Sequence, residues 1–238
     1  MTLIFEDTPL FLGSQSGSAN VKPDNYTIAG SPAITDDGIA SGFSLENYLK
    51  INKNIIVTQD NSFEIECKIK TDETGAFQSQ SQFFYGINWN IYCGIESQNS
   101  RITFQITPNN YINTTEAPII LPNTEYTIKC FYKNNTIGYT LIGNGVNVTF
   151  TKNVSVTFTY NLVDMLIGKN SAASGLYVFK GSIDLNEFKI YVDENLVYQA
   201  CSMIPYTLNE YGLKIPDPRY KDRVIDAYEQ GLIEVYFK

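Results

Sequence analysis

The stretch from Ser62 to Lys70 alternates between apolar and charged side chains, and this pattern constrains the fold more than any other feature of the sequence. The apolar members are Phe63, Ile65, Cys67 and Ile69, and the charged members are Glu64, Glu66, Lys68 and Lys70. A period of two places the apolar set on one face of a β-strand and the charged set on the other. The pattern therefore predicts a half-buried antiparallel strand with one wet face.

Turn signals separate the other strand candidates. Asn134-Asn135 and Gly143-Asn144-Gly145 indicate hairpins, because Asn and Gly adopt the positive φ angles that tight turns require. Gly181 to Asp193 is typical of a long strand, and the inward-facing positions change phase between Leu185 and Phe188, which indicates a bulge. About a dozen short strands at this spacing predict an all-β sandwich or jelly roll.

Three regions are expected along the 238 residues. Residues 1–25 read as an N-terminal arm, because a short apolar start leads into a Ser/Gly-rich run. Residues 26–203 form the predicted β-sandwich. Residues 204–238 read as a helical docking segment, in which Asp217-Pro218 is a helix start and Gly231 a stop.

Composition excludes several function classes. The net charge is −8, and such a surface repels nucleic acid, whose binding depends on Lys and Arg, and gives no attraction to anionic membranes. The chain holds no histidine, so the usual Ser-His-Asp and Cys-His nucleophile arrangements are excluded, as is a Cys/His zinc site. We expect no enzyme, no nucleic-acid partner and no membrane partner.

The beginning of the chain and its apolar runs suggest where it is made. Neither a secretory signal pattern nor an apolar run of the ~20 residues that span a bilayer is found, so we expect synthesis in a cytoplasm.

The four cysteines lack the CxxC spacing of metal sites. Buried free thiols are the expected state, with one or two disulfides as the alternative; the cysteines are Cys67, Cys93, Cys130 and Cys201.

One segment suggests a ligand site, and one acidic pair suggests a metal site. Trp89, the single tryptophan, lies among Asn88, Asn90 and Tyr92, which together offer an aromatic plane and polar groups. Core packing is the alternative for so apolar a segment. Asp36 and Asp37 are the candidate ligands if a cofactor is needed, which would be Ca²⁺. Asp193 and Glu194 are a second candidate pair for Ca²⁺. The alternative for each pair is an ordinary turn.

Three stretches resemble known proteins. Residues 30–44, with Asp36-Asp37-Gly38, resemble the opening of laminin-G-like, concanavalin A-like domains of tailed-phage proteins, and residues 181–191 resemble a late strand of the same domains. Residues 204–230 are similar to a segment that follows such domains in fibre-like and minor virion proteins of phages of gut bacteria. The resemblance implies a concanavalin A-like jelly-roll sandwich.

Some glycosidases of the concanavalin A-like class carry a strand of the form Glu-X-Asp-X-X-Glu, whose carboxylates flank a sugar bond. In this chain Ser182 stands at the first carboxylate position, followed by Asp184 and Glu187. In a regular strand these two acids would also point to opposite faces. We therefore regard glycoside hydrolysis as the least favoured function.

The resemblance implies a phage virion protein, made in the cytoplasm of a bacterial host. Its sandwich would mediate protein–protein or host-surface contacts as a fibre, tail or capsid-decorating component. Other virion proteins and further copies of the chain in a homo-oligomer are the expected partners. The alternative function is a carbohydrate-binding adhesin that recognises bacterial surface glycans.

Overall fold

The computed structural model describes residues 3–4, 26–35, 38–72, 81–86, 90–96, 99–170, 177–200, 206–208, 214–216 and 236–237. Within this part of the chain the regular structure is β-strand, and every pair of strands is antiparallel. No helix among these residues is long and apolar enough to cross a membrane. The predicted C-terminal helix lies outside the described residues, as does most of the N-terminal arm.

One large sheet has seven strands, in the spatial order β11-β10-β9-β8-β16-β5-β2. Its strands are β2 (Tyr26–Ala29), β5 (Tyr48–Ile51), β8 (Ser81–Tyr85), β9 (Tyr92–Ile95), β10 (Ile102–Thr107), β11 (Asn110–Ile112) and β16 (Leu166–Ile167).

The other large sheet has eight strands, in the order β14-β13-β12-β7-β17-β4-β3, with β18 paired to β17. Its strands are β3 (Ala33–Ile34), β4 (Ile39–Ser41), β7 (Phe63–Thr71), β12 (Glu125–Lys133), β13 (Thr136–Gly143), β14 (Val146–Asn153), β17 (Gly181–Val192) and β18 (Asn195–Gln199).

Three two-stranded pairs complete the described strands. They are β1 (Leu3–Ile4) with β21 (Tyr236–Phe237), β6 (Ile56–Thr58) with β15 (Thr159–Asn161), and β19 (Tyr206–Leu208) with β20 (Lys214–Pro216).

The apolar core lies between the two large sheets and draws on both of them. In β7 the predicted alternation is confirmed, because Phe63, Ile65 and Cys67 are buried while the charged residues between them stay partly exposed. Each fully buried Ile or Phe side chain stabilises the fold by about 1.5–3 kcal/mol. The chain crosses repeatedly from one sheet to the other, so the predicted all-β jelly-roll sandwich is confirmed.

Both predicted hairpins are also present. Asn134 and Asn135 join β12 to β13 with φ angles of 50° and 57°. Asn144 and Gly145 join β13 to β14 with φ angles of 48° and 75°. These turns bring three long strands side by side at one end of the eight-stranded sheet.

The predicted bulge in β17 is confirmed as well. The pairing of β17 with β7 changes register between Asp184 and Lys189. Ile183 and Leu185 point to the core in the first part of the strand, and Phe188 and Ile190 do so in the second part. The bulge therefore keeps both halves of a twelve-residue strand packed on the core.

Candidate functional site

Tyr92, one of the predicted ligand-binding residues, lies on the face of the seven-stranded sheet that points away from the core. Its ring stacks with Tyr85 on the next strand, with centroids 6.4 Å apart and planes at 26°. Only 7% of Tyr92 is exposed, and burial raises the pKa of its hydroxyl to about 12. Asn90 is half-buried in the same connection between β8 and β9.

Trp89 and Asn88 lie outside the described residues, so a ligand site at Trp89, Tyr92, Asn88 and Asn90 stays a prediction. The row of side chains that contains Tyr92 continues through Gln105, which is also buried, to Tyr111. Tyr111 is 48% exposed. In this row the aromatic surface open to solvent is therefore at Tyr111, two strands away from Tyr92.

The candidate metal ligands Asp36 and Asp37 also lie outside the described residues. Asp193 and Glu194 form the tight turn between β17 and β18, with φ angles of 48° and 68°. The Asp193 carboxylate accepts hydrogen bonds from the Ser62 backbone N–H at 2.9 Å and from Asn61 Nδ2 at 2.8 Å, and these lower its pKa. In the described part of the chain, no three acidic or cysteine side chains are grouped as a metal site requires.

The bulge in β17 changes the facing of the two acids that a regular strand would separate. Asp184 lies directly opposite Lys68 on β7, and Glu187 Oε2 is 2.9 Å from the Nζ of Lys189, which lies opposite Glu66. Both acids therefore lie on the outer face of the eight-stranded sheet, and both raise the pKa of Lys68 after the larger effect of Glu125. Burial raises the pKa of Asp184, which accepts hydrogen bonds from the Asn186 backbone and side chain at 3.0 and 3.1 Å. Ser182 still leaves the first carboxylate position without an acid.

A groove of about 410 Å³ opens on the same outer face, at the end of the sheet near the Asp193-Glu194 turn. Its centre is Glu64 on β7, which lies directly opposite Phe131 on β12 and directly opposite Tyr191 on β17. We call this feature the Glu64 groove. It is lined by Ser62, Phe63, Glu64, Phe131, Tyr132, Lys133, Tyr191 and Glu194.

Register pairing explains why two aromatic rings flank one carboxylate. Residues directly opposite each other on adjacent strands point to the same face of a sheet. Neighbouring strands are ~4.8 Å apart, so the strands that carry Phe131 and Tyr191 are separated by about 10 Å, with Glu64 midway. The groove therefore has two apolar walls and an acidic floor.

The Glu64 carboxylate lacks close hydrogen-bond donors among the described residues. Lys129 Nζ is 4.0 Å from Glu64 Oε1 but 3.2 Å from Glu66 Oε2, so this lysine is hydrogen-bonded to Glu66 instead. Among the described residues, no group donates a hydrogen bond to the Glu64 side chain. Burial raises the pKa of Glu64, the charge of Lys129 lowers it and that of Glu66 raises it, with a net rise.

Gly138 positions the Phe131 ring. Gly138 lies directly opposite Phe131 on β13, and a Cβ atom placed there would overlap Phe131 Cζ and lie 2.7 Å from the Phe150 carbonyl oxygen. The ring therefore lies across the glycine, on the side of β12 away from Glu64. This arrangement keeps the space above the carboxylate open.

The rim of the groove carries an ion pair. Lys133 Nζ is 3.0 Å from Glu194 Oε1, and the two side chains are 57% and 82% exposed. Such a pair contributes at most ~1 kcal/mol to stability. Its ammonium and carboxylate are therefore accessible to a ligand at the edge of the Glu64 groove.

The sequence predicted Glu64 only as one residue on a wet strand face. What brings Phe131 and Tyr191 beside it is the pairing of β7 with strands that are distant in sequence. Phe131 and Tyr191 do carry a local signal, since each is an aromatic residue at a solvent-facing position of an otherwise alternating strand. Both residues are partly exposed, and aromatic residues that group on one face of a sheet are a reason to look for a binding surface.

No protein-family model matches the sequence, and no curated protein matches it either. Among solved structures, the chain is similar to domain 4 of AbnA, an extracellular arabinanase of Geobacillus stearothermophilus solved with arabinotriose. The TM-score is 0.46 at 16% identity, over 82% of this chain and 93% of that domain.

Two further similar structures are a fragment of mouse laminin α1 (domains LG4-5) and the enzymatically active domain of tailspike protein 2 from bacteriophage CBA120. Their TM-scores are 0.41 and 0.44, at 12% and 11% identity, over 70% and 86% of this chain. The chain spans 44% of the laminin fragment and 34% of the tailspike domain. The chemistry of the Glu64 groove is therefore inferred from the residues that line it.

Proposed function

We propose that this protein is a non-catalytic glycan-binding domain and that the Glu64 groove is its binding site. The observation that carries the proposal is the row formed by Phe131, Glu64 and Tyr191 across three adjacent strands. Ligand sites combine apolar walls with a few polar groups that orient the ligand. A sugar ring matches this row, because its C–H faces pack on aromatic rings while its hydroxyl groups donate to a carboxylate.

Charge favours a neutral ligand. Glu194 is paired with Lys133 at the rim, and Lys129 is held by Glu66 beside the groove on the same face of the sheet. Glu64 therefore needs hydrogen-bond donors, and sugar hydroxyl groups supply them. A hydrogen bond to a charged group contributes about 1.5–3 kcal/mol, which suits Glu64 to fix the orientation of the ligand. The net charge of −8 disfavours phosphate-rich ligands.

A glycan array followed by titration calorimetry tests this function. We expect the full chain to bind one class of bacterial surface oligosaccharide, with the same affinity in calcium and in a chelator. Phe131→Ala, Tyr191→Ala and Glu64→Gln should each weaken binding about tenfold or more, which corresponds to ~1.4 kcal/mol. Tyr111→Ala, which removes an exposed aromatic ring on the other sheet, is the matched control and should bind normally.

Two results would overturn the assignment. One is the absence of binding to any sugar at millimolar concentration. The other is a Tyr191→Ala variant that binds as tightly as the unaltered chain. Release of shortened sugar products from the bound glycan would show that the domain is catalytic, in which case Asp184→Asn and Glu187→Gln would identify the acids responsible.

We also propose that the domain works in a phage particle, where its sandwich mediates host-surface or protein–protein contacts. The resemblance of residues 204–230 to a segment of phage virion proteins supports this location. Mass spectrometry of purified particles tests it, and we expect the chain to co-purify with capsid and tail proteins. Detection only in infected-cell lysate, and never in particles, would exclude a virion role.

A further inference from the structure

A second groove opens at the other end of the eight-stranded sheet, and we call it the Lys70 groove. Its volume is about 560 Å³, which is within the range of small-ligand sites. β7 runs from the Glu64 groove to this one, and the six residues between Glu64 and Lys70 span about 20 Å in an extended strand. The lining of the Lys70 groove includes Ser41, Lys70, Asp72, Lys180 and Ser182.

Strand pairing places three polar side chains of the Lys70 groove in one row. Lys70 on β7 lies directly opposite Ser182 on β17. β17 also pairs with β4, where Ile183 is opposite Ala40, so Ser182 comes beside Ser41 at the next position. Ile183 and Ala40 are buried in the core, and successive side chains of a strand point to opposite faces. The row of Lys70, Ser182 and Ser41 therefore lies on the outer face of the sheet.

The ammonium groups of Lys70 and Lys180 have no acceptor among the described residues, and both residues are exposed. Every other lysine whose side chain the structure describes has an oxygen acceptor within 3.2 Å. Glu125 lies opposite Lys70 on β12, but its carboxylate is 2.9 Å from the Nζ of Lys68. The unpaired ammonium groups of the described lysines thus lie in one groove, on a chain whose net charge is −8.

The charges of the Lys70 groove favour a ligand with one negative charge. The Asp72 backbone N–H donates to the Lys180 carbonyl oxygen at 3.2 Å, so these two residues are neighbours in the lining. Two ammonium groups and one carboxylate give the groove a net charge of one positive unit. A phosphate monoester carries about −1.5 to −2 at neutral pH and exceeds this charge. Asp72 would also repel the further carboxylates of an acidic peptide.

We propose that the Lys70 groove binds the carboxylate of a sugar acid. The two lysines supply charge-assisted hydrogen bonds, and the Ser41 and Ser182 hydroxyl groups are further donors in the same row. The neutral hydroxyl groups of such a ligand are compatible with Asp72, because they can donate to its carboxylate. This site is separate from the Glu64 groove, and its ligand does not depend on glycan binding there.

Titration of the full chain with glucuronate, followed by NMR, tests the proposal. Glucose is the matched neutral ligand, because it has a hydroxymethyl group where glucuronate has the carboxylate. We expect glucuronate to shift the backbone amide signals of Lys70 and Ser182 with millimolar affinity, and glucose to leave these signals in place. Glucose 6-phosphate should bind more weakly than glucuronate. Added salt should weaken the binding of glucuronate, since exposed charges are screened.

Substitutions separate this groove from the rest of the molecule. Lys70→Gln and Lys180→Gln should each weaken glucuronate binding about fivefold or more, because each removes one charged donor. Lys50→Gln is the control, since it removes the same charge from the other large sheet, and it should bind normally. Glu64→Gln should also bind glucuronate normally, because Glu64 is about 20 Å away.

Four results would overturn the proposal. The first is the absence of shifts at Lys70 and Ser182 in about 50 mM glucuronate, a concentration that would reveal a millimolar site. The second is an equal response of these signals to glucose, and the third is tighter binding of glucose 6-phosphate. The fourth is unchanged binding in both lysine variants. None of these results bears on the Glu64 groove, whose variants are tested with neutral glycans.

Discussion

Two tyrosines buried in adjacent strands of the eight-stranded sheet differ in what their hydroxyl groups contact. Tyr132 Oη lies 3.1 Å from both the Gln59 carbonyl oxygen and Asn135 Oδ1. The hydroxyl of Tyr139 is equally buried, yet it has no hydrogen-bond partner among the described residues, and burial raises its pKa. A buried hydroxyl stabilises the fold only where it is paired.

These two residues give a matched pair of predictions. Tyr132→Phe should lower the free energy of unfolding by about 1–1.5 kcal/mol, because it leaves buried acceptors without a donor. Tyr139→Phe should leave the free energy unchanged or raise it, since it removes a polar group that was buried without compensation. Urea unfolding measures both. Equal losses in the two variants would contradict the difference in hydrogen bonding.

Glu64 gives a prediction about pH. Its pKa lies above the usual 4.5, chiefly because it is partly buried. Glycan binding needs the ionised form as acceptor, so affinity should be full at neutral pH and should fall as the pH drops through this raised pKa. Calorimetric titrations between pH 7 and pH 4 measure the change. Glu64→Gln should bind weakly, and its residual affinity should not follow this titration.

The same raised pKa has a consequence for stability. A carboxyl group that is harder to ionise in the folded chain than in the unfolded chain binds protons preferentially when folded, so it reduces stability as the pH rises. Glu64→Gln should therefore lose glycan binding without losing stability at neutral pH. A variant that loses both would indicate a structural role for Glu64.

At the scale of elements, the outer face of the sheet depends on a glycine in β13. Gly138→Ala should push the Phe131 ring toward Glu64, because the added methyl group meets both the ring and the Phe150 carbonyl. We expect glycan affinity to fall about fivefold or more although residue 138 is outside the groove. Calorimetry and a crystal structure of the variant measure the two effects.

Gly145 provides the control for that substitution. An added Cβ at Gly145 has open space, but its φ of 75° is strained for alanine. Gly145→Ala should cost about 1–2 kcal/mol of stability and leave glycan affinity unchanged. Loss of binding in Gly145→Ala, or normal binding in Gly138→Ala, would show that the position of the Phe131 ring does not determine glycan affinity.

Element by element, local signals carried most of what the sequence predicted. The alternation in β7, the Asn-Asn and Gly-Asn-Gly turns and the phase change in β17 each depend on residues close in sequence. The Glu64 groove depends instead on β7 pairing with β12 and β17, which are far apart along the chain. Such pairing is set by burial over the whole sheet, and no local pattern contains it.

At the scale of the whole molecule, three buried cysteines can show whether the two sheets of the sandwich unfold together. Cys67 and Cys130 belong to the eight-stranded sheet and Cys93 to the seven-stranded sheet, and all three are fully buried free thiols. The expectation of buried free thiols is thus confirmed for these three, while Cys201 lies outside the described residues. Burial raises the pKa values of Cys67 and Cys130 well above the usual range.

Because the thiolate is the reactive form, these cysteines should be inert in the folded chain. We predict that pulses of iodoacetamide in increasing urea will label all three together, at the midpoint of global unfolding. Peptide mass spectrometry resolves each site. Labelling of Cys93 ahead of the other two would mean that the seven-stranded sheet opens by itself and that the two sheets are not one cooperative unit.

The arrangement of Phe131, Glu64 and Tyr191 across three strands has a consequence for the size of the ligand. The strands that carry the two aromatic residues are about 10 Å apart. A ligand that contacts both rings must therefore span this distance. A chain of two or more sugar units should then bind more tightly than a single unit.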